Sequence, residues 1–247
     1  MTLIELLVVI SIIGVLAGLI LPALGNVKKK AKVVQAQKDM ADLKGAISVY
    51  QNDYTRLPAS TPAAQIGSDF TYGTTGTGYG TNIINGLAAG YQANNSELMV
   101  ILTAGATNGW TAVPIDPSVQ NDQRNARKNQ YFNAKPAPGG SGANAGPGIG
   151  TDGVFRDPWS NPYIVGLDLN YDNTVSNSVY RLQAVSQVAA GSPGGYYGLV
   201  GVPPTGNNNN YTIRDSVMVF SFGPDGMFDA GTKADTGVNK DNVLSWK

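Results

Sequence analysis

The sequence contains no cysteine and no histidine. Without cysteine there is no disulfide framework and no thiol nucleophile, and the compartment cannot be read from redox chemistry. Without histidine the commonest general base and the usual imidazole metal ligand are gone. Charge is scarce as well: 14% of the 247 residues, with 17 basic and 17 acidic side chains and a formal net charge of zero. A protein that grips nucleic acid by counterion release needs a basic face, so no nucleic-acid partner is expected. Carboxylate, Ser/Lys or calcium chemistry stays open, but the inventory argues against an enzyme. What the chain does have is glycine (31 residues) and many Asn, Thr and Ser, a composition suited to a loop-rich extracytoplasmic domain.

Residues 6–24 read LLVVISIIGVLAGLILPAL, apolar apart from Ser11, two glycines and Pro22. An uncharged run of this length can cross a hydrocarbon core of roughly 30 Å as a helix. A cleavable signal peptide would carry its basic residues ahead of the run. Here Lys28, Lys29, Lys30 and Lys32 follow it. Beyond Pro22 the pattern turns amphipathic. Val33, Ala36, Met40, Leu43, Ile47, Tyr50 and Tyr54 recur at steps of three and four, the signature of one helix face. Pro58 disfavours helical geometry at Leu57 and ends the pattern. A helix from residue 2 to about 54 would be roughly 80 Å long.

Two residues interrupt this simple picture. Thr2 and Glu5 have capping-box spacing, and a carboxylate in the first turn complements the helix dipole. Buried among bundled helices, the same Glu5 would need a cationic partner, for which the terminal amine of Met1 on a neighbouring copy qualifies. Pro22 removes one helical hydrogen bond. It reads equally as a plain kink or as a segment able to unwind and lengthen.

Residues 2–22, TLIELLVVISIIGVLAGLILP, resemble the start of mature type IV pilins and type II secretion pseudopilins. The resemblance implies a leader peptide cut before Met1, methylation of the new amine, and Glu5 as the assembly glutamate. It also implies as partners a prepilin peptidase, an inner-membrane assembly platform and further copies of the chain. Met1 departs from the usual phenylalanine. The implied organisation is a transmembrane and filament-core helix over 1–27, an amphipathic half over 28–57, and a head over 58–247.

In the head, residues 59–95 read as an elaborated surface loop. The glycines of 71–80 lack the Gly-Lys-Ser/Thr that would make them a phosphate cradle. A short helix is expected over 95–103 with Leu98, Ile101 and Leu102 buried. Residues 134–150 read as a flexible excursion, disordered or pinned against a neighbouring subunit. Strands are expected at 163–167, 179–185 and 217–222. One long helix, variable loops and a late antiparallel sheet make an α+β fold with long loop insertions.

Residues 157–163, DPWSNPY, resemble a segment of major pseudopilins. There Asp157 would cap a turn while Trp159 and Tyr163 pack the sheet on the helix. SFGPDG at 221–226 and DNVLSW at 241–246 resemble the closing loop of the same family, which binds a structural calcium ion. The resemblance carries that role to Ser221, Asp225, Asp241 and Asn242, and none to Asp229 or Asp235. Asp168, Asn170 and Asp172 have the alternate spacing that opens an EF-hand loop, a second calcium candidate. That loop lacks the central glycine, and Val179 stands where the bidentate acid would fall. Solvated turn carboxylates explain both sets equally simply.

The reading that results is a non-enzymatic filament subunit, inserted in the bacterial inner membrane before assembly. A surface-exposed extracellular pilus is the first expectation and a periplasmic secretion pseudopilus the alternative. A membrane-anchored binding module comes third.

Overall fold

The computed structural model describes residues 2–73, 95–104, 123–133, 135–142, 145–201 and 209–247. The glycine-rich run 74–80, part of the expected surface loop, therefore lies outside the described residues, as does Met1. Helix α1, Leu3–Tyr54, is 52 residues long and passes Pro22 without a break. Every described side chain of its first half is exposed, and packing begins only at Val33. From there the expected stripe is in place: Ala36, Met40, Leu43, Ile47 and Tyr50 are wholly buried, with Val33 and Tyr54 packed at the edge. Thr55 ends the helix in the left-handed conformation, its N–H donating to the Gln51 carbonyl.

After a short helix α2 (Thr61–Gln65), strand β1 (Phe70–Tyr72) opens the main sheet. Helix α3 (Asn95–Leu102) follows, buried along its whole length, as expected for Leu98, Ile101 and Leu102. A small hairpin pairs β2 (Gly148–Ile149) with β3 (Phe155–Arg156). Strands β4 (Ile164–Leu167) and β7 (Val217–Ser221) are the expected late strands, each within a residue. Between them lie a single-turn helix α4 (Gln183–Ser186) and the pair β5 (Val200–Gly201) with β6 (Tyr211–Thr212). Strand β8 (Val243–Leu244) completes an antiparallel sheet in the order β1-β4-β7-β8.

This sheet is buried on both faces, which explains why its two middle strands read as continuous apolar runs. Alternation along β7 sends Val217 and Val219 to the α1 side and Met218 and Phe220 to the other. The α1 side also holds Val165, Leu167, α3 and Phe155. The opposite core gathers Ile164, Val175, Val179, Tyr180, Val185, Leu199 and Tyr211.

Two expectations need correction. Residues 179–185 form a turn leading into α4, not a strand. The cause is Asn177, whose side-chain oxygen accepts from the N–H groups of Val179 (2.9 Å) and Tyr180 (2.7 Å) and captures the backbone locally. The excursion 134–150, where described, is not structureless: its own backbone hydrogen bonds and the pairing of β2 with β3 hold it. Ile149 donates to the Lys135 carbonyl, Ala137 to that of Ile149, and Gly139 to that of Ala145.

Candidate functional site

Four regions hold the residues singled out from the sequence. At the start of α1 the capping box is complete. The Thr2 N–H donates to Glu5 Oε2 at 2.6 Å, and the Glu5 N–H donates to the Thr2 hydroxyl at 3.3 Å. No hydrogen bond to Glu5 Oε1 is found among the described residues. Above it stands a sleeve of exposed apolar side chains: Leu3 is 82% exposed, Ile4 73% and Val15 65%. Apolar surface this continuous requires cover by other apolar material. Among the described residues no helix is long and apolar enough to cross a membrane. The side chains of 19–23, inside the apolar run and including Pro22, are not among those described.

The second region joins α1 to the DPWSNPY turn. Asp157 Oδ1 accepts from the N–H groups of Trp159 (2.8 Å) and Asn161 (2.9 Å), the turn cap expected of it. Tyr163 is fully buried, and its hydroxyl donates to Asp39 on α1 at 3.0 Å. Burial pushes the Asp39 carboxyl up, against the pull of the Tyr163 and Gln35 hydrogen bonds. Trp159 packs at the edge of the same core with the Lys32 ammonium 6.0 Å from its ring.

The third region is the C-terminal loop, and Asp157 reaches it too. The Ser221 hydroxyl donates to Asp157 Oδ2 and accepts from the Gly223 N–H at 2.9 Å. Burial raises the Asp157 carboxyl to about 6 in spite of these bonds. Gly223 has φ +71°, and a Cβ there would sit 2.3 Å from the Asp241 carbonyl oxygen, so only glycine lets the two loop segments meet. Asn161 Nδ2 donates to the Gly223 carbonyl at 2.8 Å and ties the DPWSNPY turn to the loop.

Of the four candidate calcium ligands, Ser221 is thus committed to the protein itself. Asp225 lies close enough to Asp241 for its charge to count there. Burial first and Asp225 second push the Asp241 carboxyl up. Asp241 Oδ1 and Asn242 Oδ1 are buried without hydrogen-bond partners. Two carboxylates, one of them with a stranded oxygen, and one stranded amide oxygen are the hard donors calcium prefers, so the residues fit in chemistry. Among the described residues no group of three or more His, Cys, Asp or Glu side chains is placed to hold a metal. Calcium here would draw its remaining ligands from amide and backbone oxygens.

The 168–172 loop is closed on itself. Asp168 accepts from the N–H groups of Asp172 (3.3 Å) and Asn173 (3.0 Å). Asp172 accepts from Thr174 and from Asn170 Nδ2 (2.9 Å). Asp229 is likewise spent on Gly231 and Thr232.

Two features had no counterpart in the sequence reading. Asn95, fully buried, clamps β3 to the start of β4 through three side-chain hydrogen bonds. The segment 123–131 wraps the end of α1, where Tyr50 stacks on Tyr54 with centroids 4.7 Å apart and Tyr131 meets the two rings edge-on at 5.4 and 6.4 Å. The only sequence signal for either is a polar residue at the edge of an apolar helix.

A long helix with a bare apolar half, packed by its second half on a small antiparallel sheet, is the architecture of pilin-like proteins. Similar proteins agree. The chain is 41% identical over 64 residues to the type II secretion system core protein G of Klebsiella pneumoniae, covering 26% of this chain and 46% of that one. It is 42% identical over 59 residues to the core protein G of Pectobacterium carotovorum subsp. carotovorum, covering 24% and 38%. It is 42% identical over 65 residues to the fimbrial protein EcpC of Eikenella corrodens, covering 26% and 42%. The matched stretches span less than half the length of these curated relatives. No family model matches the chain, and no solved structure matches it. Fold and relatives together support a place in the pilin and pseudopilin family.

Proposed function

We propose that the chain is a non-enzymatic subunit that polymerises through the first half of α1 into a surface-exposed, type IV pilus-like filament. The observation that carries this is the division of α1 at Val33, bare and apolar before it, anchored in the head after it. Before assembly the bare half resides in the inner membrane, the one other medium that covers such a surface. In the filament, copies of the same half cover one another. Glu5 keeps its Oε2 for its own cap and offers its second oxygen to the terminal amine of a neighbour's Met1. An acid left unpaired in that core would cost several kcal/mol, so the pair sets the stagger between copies.

The second reading, a periplasmic secretion pseudopilus, is favoured by the core protein G relatives. The head favours the first. A 64-residue match fills 46% of the Klebsiella protein and 26% of this chain, so this head is much the larger and decorates the fibre more heavily. Glu5→Ala tests the assembly step. Filaments should vanish in shear fractions while the chain stays in the membrane fraction. Filaments of normal abundance would refute the role given to Glu5.

We further propose that calcium binds the C-terminal loop through Asp225 and Asp241, with Asn242 and the Ser221 region closing the site. The ion would neutralise the paired carboxylates and fasten the loop to the sheet. Calcium should raise the melting temperature above that in chelator, and Asp225→Asn with Asp241→Asn should erase the difference. An equal melting temperature in calcium and chelator would refute it.

A further inference from the structure

The end of α1 carries an excess of positive charge that neither the filament reading nor the calcium loop uses. Arg56 follows the helix cap, and Arg124 and Arg127 belong to the segment that wraps it. Arg124 is only 9% exposed, and its Nε is buried without a hydrogen-bond partner. Arg56 Nε is in the same condition, while its Nη2 reaches the Gln123 carbonyl at 3.2 Å. The guanidinium carbons of Arg56 and Arg127 lie 5.7 and 5.5 Å from the centre of the Tyr54 ring. Arg56 and Arg127 therefore flank one aromatic ring, Arg124 lies in the segment that wraps it, and none of the three joins an ion pair among the described residues.

Burial first and the charge of Arg56 second hold the Arg124 guanidinium below its ordinary range, and the Arg56 Nη2 bond to the Gln123 carbonyl sets Arg56 beside the residue that precedes Arg124. Among the described residues local negative charge does not balance them. The helix C-terminus supplies about half an elementary charge. The nearest acid on the helix, Asp53, spends its Oδ2 on the Tyr131 hydroxyl (2.7 Å) and Asn129 (3.5 Å) and makes no ion pair with the three. Even counting it in full, about one and a half positive charges remain uncompensated. A buried cation without a counter-charge is a costly arrangement unless something supplies the anion.

We propose that Arg56, Arg124 and Arg127 form a binding site for a small oxyanion, a phosphate or a carboxylate. Guanidiniums offer paired N–H donors that match either group, and aromatic faces hold them in place. The bound anion would link the end of α1 to segment 123–131 beside the ties already there, among them Tyr50 to the Arg124 carbonyl (2.5 Å) and Tyr54 to Asn125 (3.1 Å).

The test uses the full chain in detergent, melted in inorganic phosphate, sodium acetate or sodium chloride at equal ionic strength. Phosphate at ten times its dissociation constant should raise the melting temperature about 3 °C above chloride. Acetate acting equally well would identify carboxylate as a sufficient ligand. Arg127→Gln removes an exposed group and spares the fold, and it should weaken phosphate binding about tenfold in titration calorimetry. Arg56→Gln should weaken it similarly. Melting temperatures in phosphate and acetate no higher than in chloride would overturn the proposal. So would a phosphate affinity unchanged in both variants.

Discussion

Asn95 gives the sharpest test of how the head is held together. Its Nδ2 donates to the Phe155 carbonyl at 2.8 Å and the Tyr163 carbonyl at 2.9 Å, and its Oδ1 accepts from the Phe155 N–H at 2.9 Å. Asn95→Ala removes three buried bonds worth about 1 kcal/mol each and strands the Phe155 N–H, for a total loss of about 3–5 kcal/mol. Asn95→Asp keeps the shape but turns an oxygen toward two carbonyls. The buried carboxyl can stay only by holding a proton, so its folded pKa lies above the unfolded value near 3.9. The folded state then binds a proton that the unfolded state has released, and stability falls as pH rises between those two values. At pH 7 Asn95→Asp should be less stable than Asn95→Ala, with the gap narrowing toward pH 4. Denaturant unfolding followed by Trp159 and Trp246 fluorescence reads this directly. A loss below about 1 kcal/mol for Asn95→Ala, or an Asn95→Asp curve flat in pH, would refute the clamp.

Other changes probe other links. Leu43→Ala opens a cavity between α1 and strands β7 and β8, where Leu43 is wholly buried, and should cost about 2–5 kcal/mol in denaturant midpoint analysis. Asp157, raised from 3.8 to about 6, releases its proton in the unfolded state first as pH increases. Its contribution is therefore fully favourable below about pH 4 and declines through about pH 6, by about 3 kcal/mol in all. Asp157→Asn should flatten that part of a stability-against-pH curve, and an unchanged slope would contradict the burial argument.

The parts of the fold legible in the sequence are those whose period repeats enough to rise above composition. The α1 stripe from Ala36 to Tyr50 repeats over several turns, and every member is buried. Strands β4 and β7 stood out because burial on both faces makes them continuously apolar. Strand β1 did not, since three residues in a Thr- and Tyr-rich stretch show no alternation; its register comes from Leu167, Gly166 and Val165 across the ladder. The segment at 179–185 had strand composition, and one asparagine at 177 outweighed it. Asp157 was legible as a turn cap but not as the link to Ser221, because nothing local records a partner so distant in the chain. Loop carboxylates were hardest to read. The spacing of 168–172 does not record that Asp168 accepts from the loop's own N–H groups.

Strand β8 bears on when the protein can fold as well as how. Val243 and Leu244 sit on the edge of the sheet beside α1, one turned into each core. They emerge from the ribosome after everything they cover. Until they arrive, the Phe220–Ser221 end of β7 lacks its partner strand and the stripe of α1 is only partly roofed. Synthesis of the head and completion of its core are thus ordered in time. A chain stalled late in synthesis presents an open sheet edge beside an apolar helix, the state most exposed to proteolysis and mispairing.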